Sequence, residues 1–176
     1  MTTIKPTLYC DVDGVINIAA KKAQGAASKI IFRKLPSVGR HIKPVPLKIQ
    51  WRESMVANLA LLPVNFIWLT TWNEYAVKIL EPLTGIQSHS VIDYHMKFKE
   101  IGKQTNKYVL LRDHQKAQPT PFIWIDDVAT KHYKEEHWEE LGVPHLVIRP
   151  KRHFGITDDH MSQIDEFILN LETRKS

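Results

Sequence analysis

Short apolar runs that alternate with stretches of helical period predict an α/β fold, three layers deep, around a mainly parallel central sheet. Three observations carry this expectation. The runs Thr7 to Val12, Val64 to Leu69, Pro121 to Ile125 and His145 to Ile148 are nearly continuous in apolar residues, as strands covered on both faces must be. The segments between them place apolar residues at helical spacing. Three of the runs also end in reactive polar groups: Asp11-Val12-Asp13, Thr70-Thr71 and Asp126-Asp127. In an open parallel sheet ligands bind beyond the carboxyl ends of the strands, so these groups are expected along one edge.

The elements follow in order. Thr7 to Val12 is the first buried strand, and Gly14 breaks it into a loop. Asn17 to Gly39 is mixed. Val45, Leu47, Ile49 and Trp51 alternate with period two, which is a strand, and Pro44 and Pro46 push it to an edge. Paired with Ile30 to Lys34 it forms a long β-hairpin over the first acidic motif. Arg52 to Leu62 reads as a helix with Met55, Val56, Leu59 and Leu62 on one face. Val64 to Leu69 is the second core strand and Trp72 to Leu80 the next helix. Gln87 to Ile92 is a weak strand. Asn106 to Lys116 is helical, and Pro121 to Ile125 is the third core strand. His132 to Leu141 reads as a helix closed by Gly142. His145 to Ile148 is the fourth strand. Thr157 or Asp158 caps a last helix striped by Met161, Ile164, Phe167, Ile168 and Leu171.

A length of 176 residues favours one domain, residues 1–176, with a basic flap or insertion at about 17–50 and no room for a large cap domain. Hydrophobic residues make up 43% and charged residues 24%, values that fit a globular chain. No run of roughly 18 apolar residues spans a membrane. The opening residues lack the apolar core of a secretory signal, so a cytoplasmic setting is expected. The one cysteine, Cys10, lies inside the first strand and reads as a buried thiol. His132 and His137 are five apart, which does not align them on a helix as zinc ligands. Trp68 and Trp124 sit inside strands as core residues, whereas Trp51 and Trp72 lie near strand ends where either could border a pocket.

The net charge is +5, and its distribution is uneven. From Gly14 to Arg52 there is no acid, and nine Lys and Arg residues crowd that stretch, leaving the remainder net acidic. A basic block directly after an acidic motif suits a polyanion held close to the acids. A solvated basic hairpin is the plainer reading.

The chemistry centres on Asp11 and Asp13. In an extended chain residues i and i+2 share a face, so both carboxylates are expected to converge on one pocket. Acids that close are tolerated beside a divalent cation, or when one carries the proton. The pair suits a nucleophile and a general acid/base in phosphoryl transfer.

With these residues in place the chain resembles the haloacid dehalogenase-like (HAD) superfamily. Asp11-Val12-Asp13-Gly14-Val15 resembles its first motif. Phe66 to Thr70 resembles the second, an apolar strand ending in Thr or Ser. Ile123-Trp124-Ile125-Asp126-Asp127 resembles the fourth. Trp68-Leu69-Thr70-Thr71-Trp72, Ile123 to Asp127 and Phe154-Gly155-Ile156-Thr157 resemble, more finely, compact HAD domains associated with RNA-repair enzymes.

The resemblance implies a Rossmann-like fold and a set of roles. Asp11 attacks phosphorus and forms an aspartyl-phosphate. Asp13 protonates the leaving oxygen and then deprotonates water. Thr70, with Thr71 as the alternative, binds the transferring phosphoryl group. A third-motif lysine neutralises charge: Lys107, which precedes an apolar helical segment, is favoured over Lys103, with Lys97 and Lys99 also open. Mg²⁺ is held by Asp11, Asp126 and the backbone near Asp13, whose carbonyl is the nearest candidate, and Asp127 ligates it directly or from behind. Asp13 argues against dehalogenase and phosphonatase chemistry. The expected function is a Mg²⁺-dependent phosphatase acting on a phosphomonoester, with a nucleic-acid end, RNA or DNA, or a nucleotide as substrate. Arg33, Lys34, Arg40 and Lys43, which flank the hairpin turn, are the expected substrate contacts. The alternatives are a small-metabolite phosphatase and a non-catalytic phosphate- or nucleic-acid-binding module on the same fold.

Overall fold

The computed structural model describes residues 5–20, 25–33, 45–93, 107–129 and 139–173. In chain order these form β1 (Thr7–Cys10), β2 (Ala27–Arg33), β3 (Val45–Trp51), α1 (Glu53–Leu61) and β4 (Asn65–Trp68). A π-helical turn, Ala76–Leu80, then leads into α2 (Glu81–Thr84), followed by β5 (Ser90–Val91) and α3 (Lys107–Ala117). β6 (Phe122–Ile125), β7 (His145–Ile148) and α4 (Asp158–Thr173) complete the set.

Five strands form one sheet in the order β5-β4-β1-β6-β7, and every neighbouring pair is parallel. β1 is central, with Cys10 opposite Trp68 on one side and Ile125 on the other. The pleat sorts the side chains into two cores. Tyr9, Ile67, Phe122 and Trp124 face Tyr108, Leu110 and Leu111 of α3. Leu8, Cys10, Phe66, Trp68, Ile123 and Ile125 face the other way, onto Met55, Val56 and Leu59 of α1, Leu80, and Met161 and Ile164 of α4. Helices on both faces make the three layers expected of apolar parallel strands. No described helix is long and apolar enough to cross a membrane.

The hairpin forms as the alternation of Val45 to Trp51 predicts. β2 and β3 pair antiparallel, with Ile31 opposite Leu47 and Phe32 opposite Pro46. A two-stranded ribbon has only edges, so Pro46 costs no ladder bond on an inner strand. Its root joins the main core through Ile31, Ile49 and Trp51. Gln50 fastens it further: its backbone N–H donates to Asn17 Oδ1 (3.1 Å) and its amide to the Ala20 carbonyl (2.6 Å).

One element differs in extent from the sequence expectation. The helix begun after Trp72 does not stop at Leu80. Pro82 falls in the first turn of α2, where a missing N–H costs little, and the π-turn before it breaks the hydrogen-bond ladder in advance. Gly85, at φ 73°, ends the helix. Glu81 in this segment accepts from Trp68 Nε1 (3.0 Å) and from the Ser88 N–H (3.1 Å), tying the sheet to the link into β5. At α4, Thr157 is the residue before the helix, one of the two caps expected, and its N–H donates to His160 Nδ1 at 3.1 Å. Burial holds His160 below its ordinary pKa, in keeping with an accepting, neutral ring. Most of the expected helix His132 to Leu141 lies outside the described residues.

Candidate active site

Because the sheet is parallel, Asp11 after β1, Thr70 after β4 and Asp126 after β6 leave the same edge. The strand order reverses between β1 and β6, which is where an open α/β sheet leaves a crevice. Lys107, the first residue of α3, reaches into it. Its Nζ lies 2.5 Å from Asp11 Oδ2 and 2.8 Å from Asp126 Oδ2. α3 is held in register by a buried polar cluster: Gln115 donates to the Tyr9 hydroxyl (3.0 Å), which also pairs with His114 Nδ1 (2.7 Å). Burial pushes the Tyr9 hydroxyl up to about 12, so it stays protonated within that cluster.

Asp11 and Asp126 are both buried, with 5% and 0% exposure, and each is fixed by a backbone donor. The Val12 N–H reaches Asp11 Oδ1 at 2.7 Å, and the Val128 N–H reaches Asp126 Oδ1 at 2.9 Å. Burial drives the Asp11 carboxyl up to about 6; Lys107 opposes this and the Asp126 charge adds to it. Burial alone would lower Lys107, but the two carboxylates outweigh it and raise the ammonium above its ordinary pKa, so it remains charged. Asp127 is raised by burial and then by Asp11, with Arg152, 3.8 Å away, pulling it back.

Oxygens of Asp11, Asp126 and Asp127 lie within 4.8 Å of one another. Lys107 neutralises part of this cluster, which still carries an excess of negative charge. Hard carboxylate oxygens with residual negative charge fit a hard divalent cation such as Mg²⁺. Cys10, behind Asp11, is fully buried and its thiol is raised well above the ordinary value by burial and then by Asp11, so it is no nucleophile.

Asp13 sits differently from the i, i+2 expectation. Beyond Cys10 the chain is no longer extended: the Val12 carbonyl accepts N–H groups from Val15, Ile16 and Asn17 at 3.3, 3.0 and 2.8 Å, winding the loop tightly. The Asp13 carboxylate thereby lies outside the three-acid cluster. It accepts from Asn17 Nδ2 (2.7 Å) and from Trp72 Nε1 (2.8 Å), yet it remains near enough for its charge to raise Asp127. Thr70 is fully buried, and its hydroxyl accepts the Trp72 N–H at 3.3 Å. Thr71 is exposed. Of the expected basic contacts, Arg33 ends β2 with its side chain outside the described part; Lys34, Arg40 and Lys43 lie outside the described residues. The same holds for Lys97, Lys99 and Lys103.

Sequence reasoning missed the hold of Asn17 and Trp72 on Asp13, and the approach of Arg152 to Asp127. Only Trp72 carried a signal, its place just past a strand end. Gly14 is required by the same geometry. It sits at φ 79°, and a Cβ there would lie 2.5 Å from Asp127 Oδ2. Gly14→Ala is therefore expected to cost about 1–2 kcal/mol in backbone strain and more from displacing Asp127. Gly85→Ala is the control, since its φ is 73° with nothing within 4 Å. Equal losses in denaturant unfolding of the two variants would contradict the contact.

A family model described as the HAD domain in Swiss Army Knife RNA repair proteins matches residues 7–161, nearly the whole chain. No curated protein and no solved structure matches the chain.

Proposed function

We propose, since this chain belongs to the family of HAD domains in Swiss Army Knife RNA repair proteins, that it is a Mg²⁺-dependent phosphatase removing a terminal phosphomonoester from a nucleic-acid end or nucleotide. The membership supports a HAD-type hydrolase; the observation that carries the finer reading is Lys107 held between Asp11 and Asp126 at the sheet edge, beside Asp127.

In this reading an Asp11 oxygen forms a bond to phosphorus as the ester P–O bond breaks. Asp13 gives its proton to the departing oxygen. Water then attacks the phosphorus of the aspartyl-phosphate, Asp13 takes a proton from that water, and Asp11 is released with inorganic phosphate. Asn17 and Trp72 hold the Asp13 carboxylate through both its oxygens, which fixes the direction of proton transfer. Lys107 offsets the charge that Asp11 and the phosphate bring together, and Thr70 binds a phosphoryl oxygen. Asp11, Asp126, Asp127 and the Asp13 carbonyl are the candidate ligands for Mg²⁺, which when bound supplies charge neutralisation and orientation. Arg33, Lys34, Arg40 and Lys43 are proposed to hold the anionic strand.

Phosphate release from mononucleotides, end-phosphorylated oligonucleotides and para-nitrophenyl phosphate is the test. Turnover is expected with Mg²⁺, none after EDTA, and little with Ca²⁺, whose longer bonds and larger ligand number would misplace the nucleophile. Hydrolysis undiminished after exhaustive chelation would refute the metal role.

A further inference from the structure

The loop that follows β7 carries an unusual surface at the mouth of the site. Lys151, Arg152, His153 and Phe154 are four consecutive exposed residues, and Phe154 is 49% exposed despite its apolar ring. The His153 and Phe154 rings lie against each other, with centroids 4.6 Å apart. Arg152 Nε stands 3.8 Å from Asp127 Oδ2, which places the loop beside the acidic cluster.

The backbone beneath these side chains is built rigidly. The Phe154 and Gly155 N–H groups both return to the Lys151 carbonyl, at 2.7 and 3.0 Å. Arg52 Nη1 donates to the Phe154 carbonyl at 2.5 Å, so this member of the basic block pins the loop. The Ala19 N–H reaches the Arg152 carbonyl (2.9 Å), and the Ile156 N–H reaches the Val15 carbonyl (3.0 Å). Gly155 has φ 66° and no room for a side chain, since a Cβ would meet the Val15 carbonyl at 2.6 Å. The loop is thus tied to the segment after β1, while cations and an aromatic ring are left facing solvent. About half of the Phe154 surface is left in solvent on this fixed loop. A single-stranded nucleic acid gains both phosphate neutralisation and a stacking surface.

We propose that Lys151, Arg152, His153 and Phe154 form a binding site for the nucleotides next to the terminal phosphate of a single-stranded nucleic acid. The cations meet the backbone phosphates, and the His153–Phe154 pair stacks a base. The proposal rests on the phosphatase reading above and adds to it a second contact surface, opposite in origin to the hairpin.

The test compares a phosphorylated oligoribonucleotide with para-nitrophenyl phosphate, using the full chain with Mg²⁺. Loss of one stacked base by alanine substitution corresponds to about 5- to 150-fold. In Lys151→Glu/Phe154→Ala, kcat/KM for the oligonucleotide is expected to fall about 30-fold more than that for the small ester. The slope of log Kd against log salt, measured with Asp11→Asn protein, is expected to drop by about 0.7 with Lys151→Glu. Lys5→Glu/Lys116→Glu, at the opposite edge of the sheet, controls for overall charge and is expected to leave the ratio unaltered. Equal falls on both substrates, or the same shift in the control, would overturn the loop site while leaving the phosphatase reading in place. A wild-type chain that hydrolyses the small ester but no phosphorylated oligonucleotide would instead overturn the nucleic-acid substrate itself.

Discussion

Asp11→Asn is expected to lower kcat by at least about 10⁴-fold, as loss of a covalent nucleophile does, while making the chelated protein more stable. The amide keeps the shape of the carboxylate and can accept the same bond from the Val12 N–H, but it is a poor nucleophile and a weaker metal ligand. The gain in stability follows from burial. With its carboxyl raised to about 6, Asp11 favours folding fully only below the ordinary value of 3.8. That contribution is lost as pH rises, and the loss is complete once pH passes about 6. Near neutral pH the ionised carboxylate therefore costs the fold about 2–3 kcal/mol. Removing it is expected to raise the thermal midpoint in EDTA by several degrees at about 2–4 °C per kcal/mol. The gain is expected to vanish toward pH 4, where both forms are neutral in the folded chain. Full activity in this variant would refute the aspartyl-phosphate; a lower midpoint above pH 6 would refute the charge argument.

The fold was legible because burial on both faces leaves a plain signature. Leu8 to Cys10, Phe66 to Trp68 and Phe122 to Ile125 are apolar without alternation, and each became an inner strand of the parallel sheet. The edge position of Asp11, Thr70 and Asp126 followed from that one inference. Less legible was everything set by loops. The face shared by Asp11 and Asp13 was inferred from strand geometry that ends at Cys10, one residue too early. The hydrogen bond from Trp72 to Asp13 joins residues separated by 59 positions, and no local period reports such a contact. Arg52 read as one more charge of a basic block, yet it serves the backbone of Phe154. The helix expected over Trp72 to Leu80 runs on to Thr84 through a π-turn that no apolar period reports.

Lys107→Met is expected to reverse the stability effect of Asp11→Asn. The ammonium is 13% exposed in its side chain and lies between two buried carboxylates, so methionine keeps the volume and deletes the only described cation in contact with both. Breaking a buried pair by removing one partner costs about 3–5 kcal/mol, because the remaining charge is left without compensation. In EDTA the midpoint is accordingly expected to fall by roughly 6–20 °C for a chain of this size. Mg²⁺ is expected to recover part of the loss, since a divalent cation on Asp11, Asp126 and Asp127 supplies positive charge to the same oxygens. Turnover is expected to stay low even then, by about 10³-fold, because the cation cannot also balance the incoming phosphate. The double variant Asp11→Asn/Lys107→Met separates this account from a general packing defect. If the cost is electrostatic, deleting the Asp11 charge recovers stability that Lys107→Met alone had lost, and the two effects are non-additive. If Lys107 serves only to pack α3, Asp11→Asn raises the midpoint by the same amount with or without Lys107, and the two effects add.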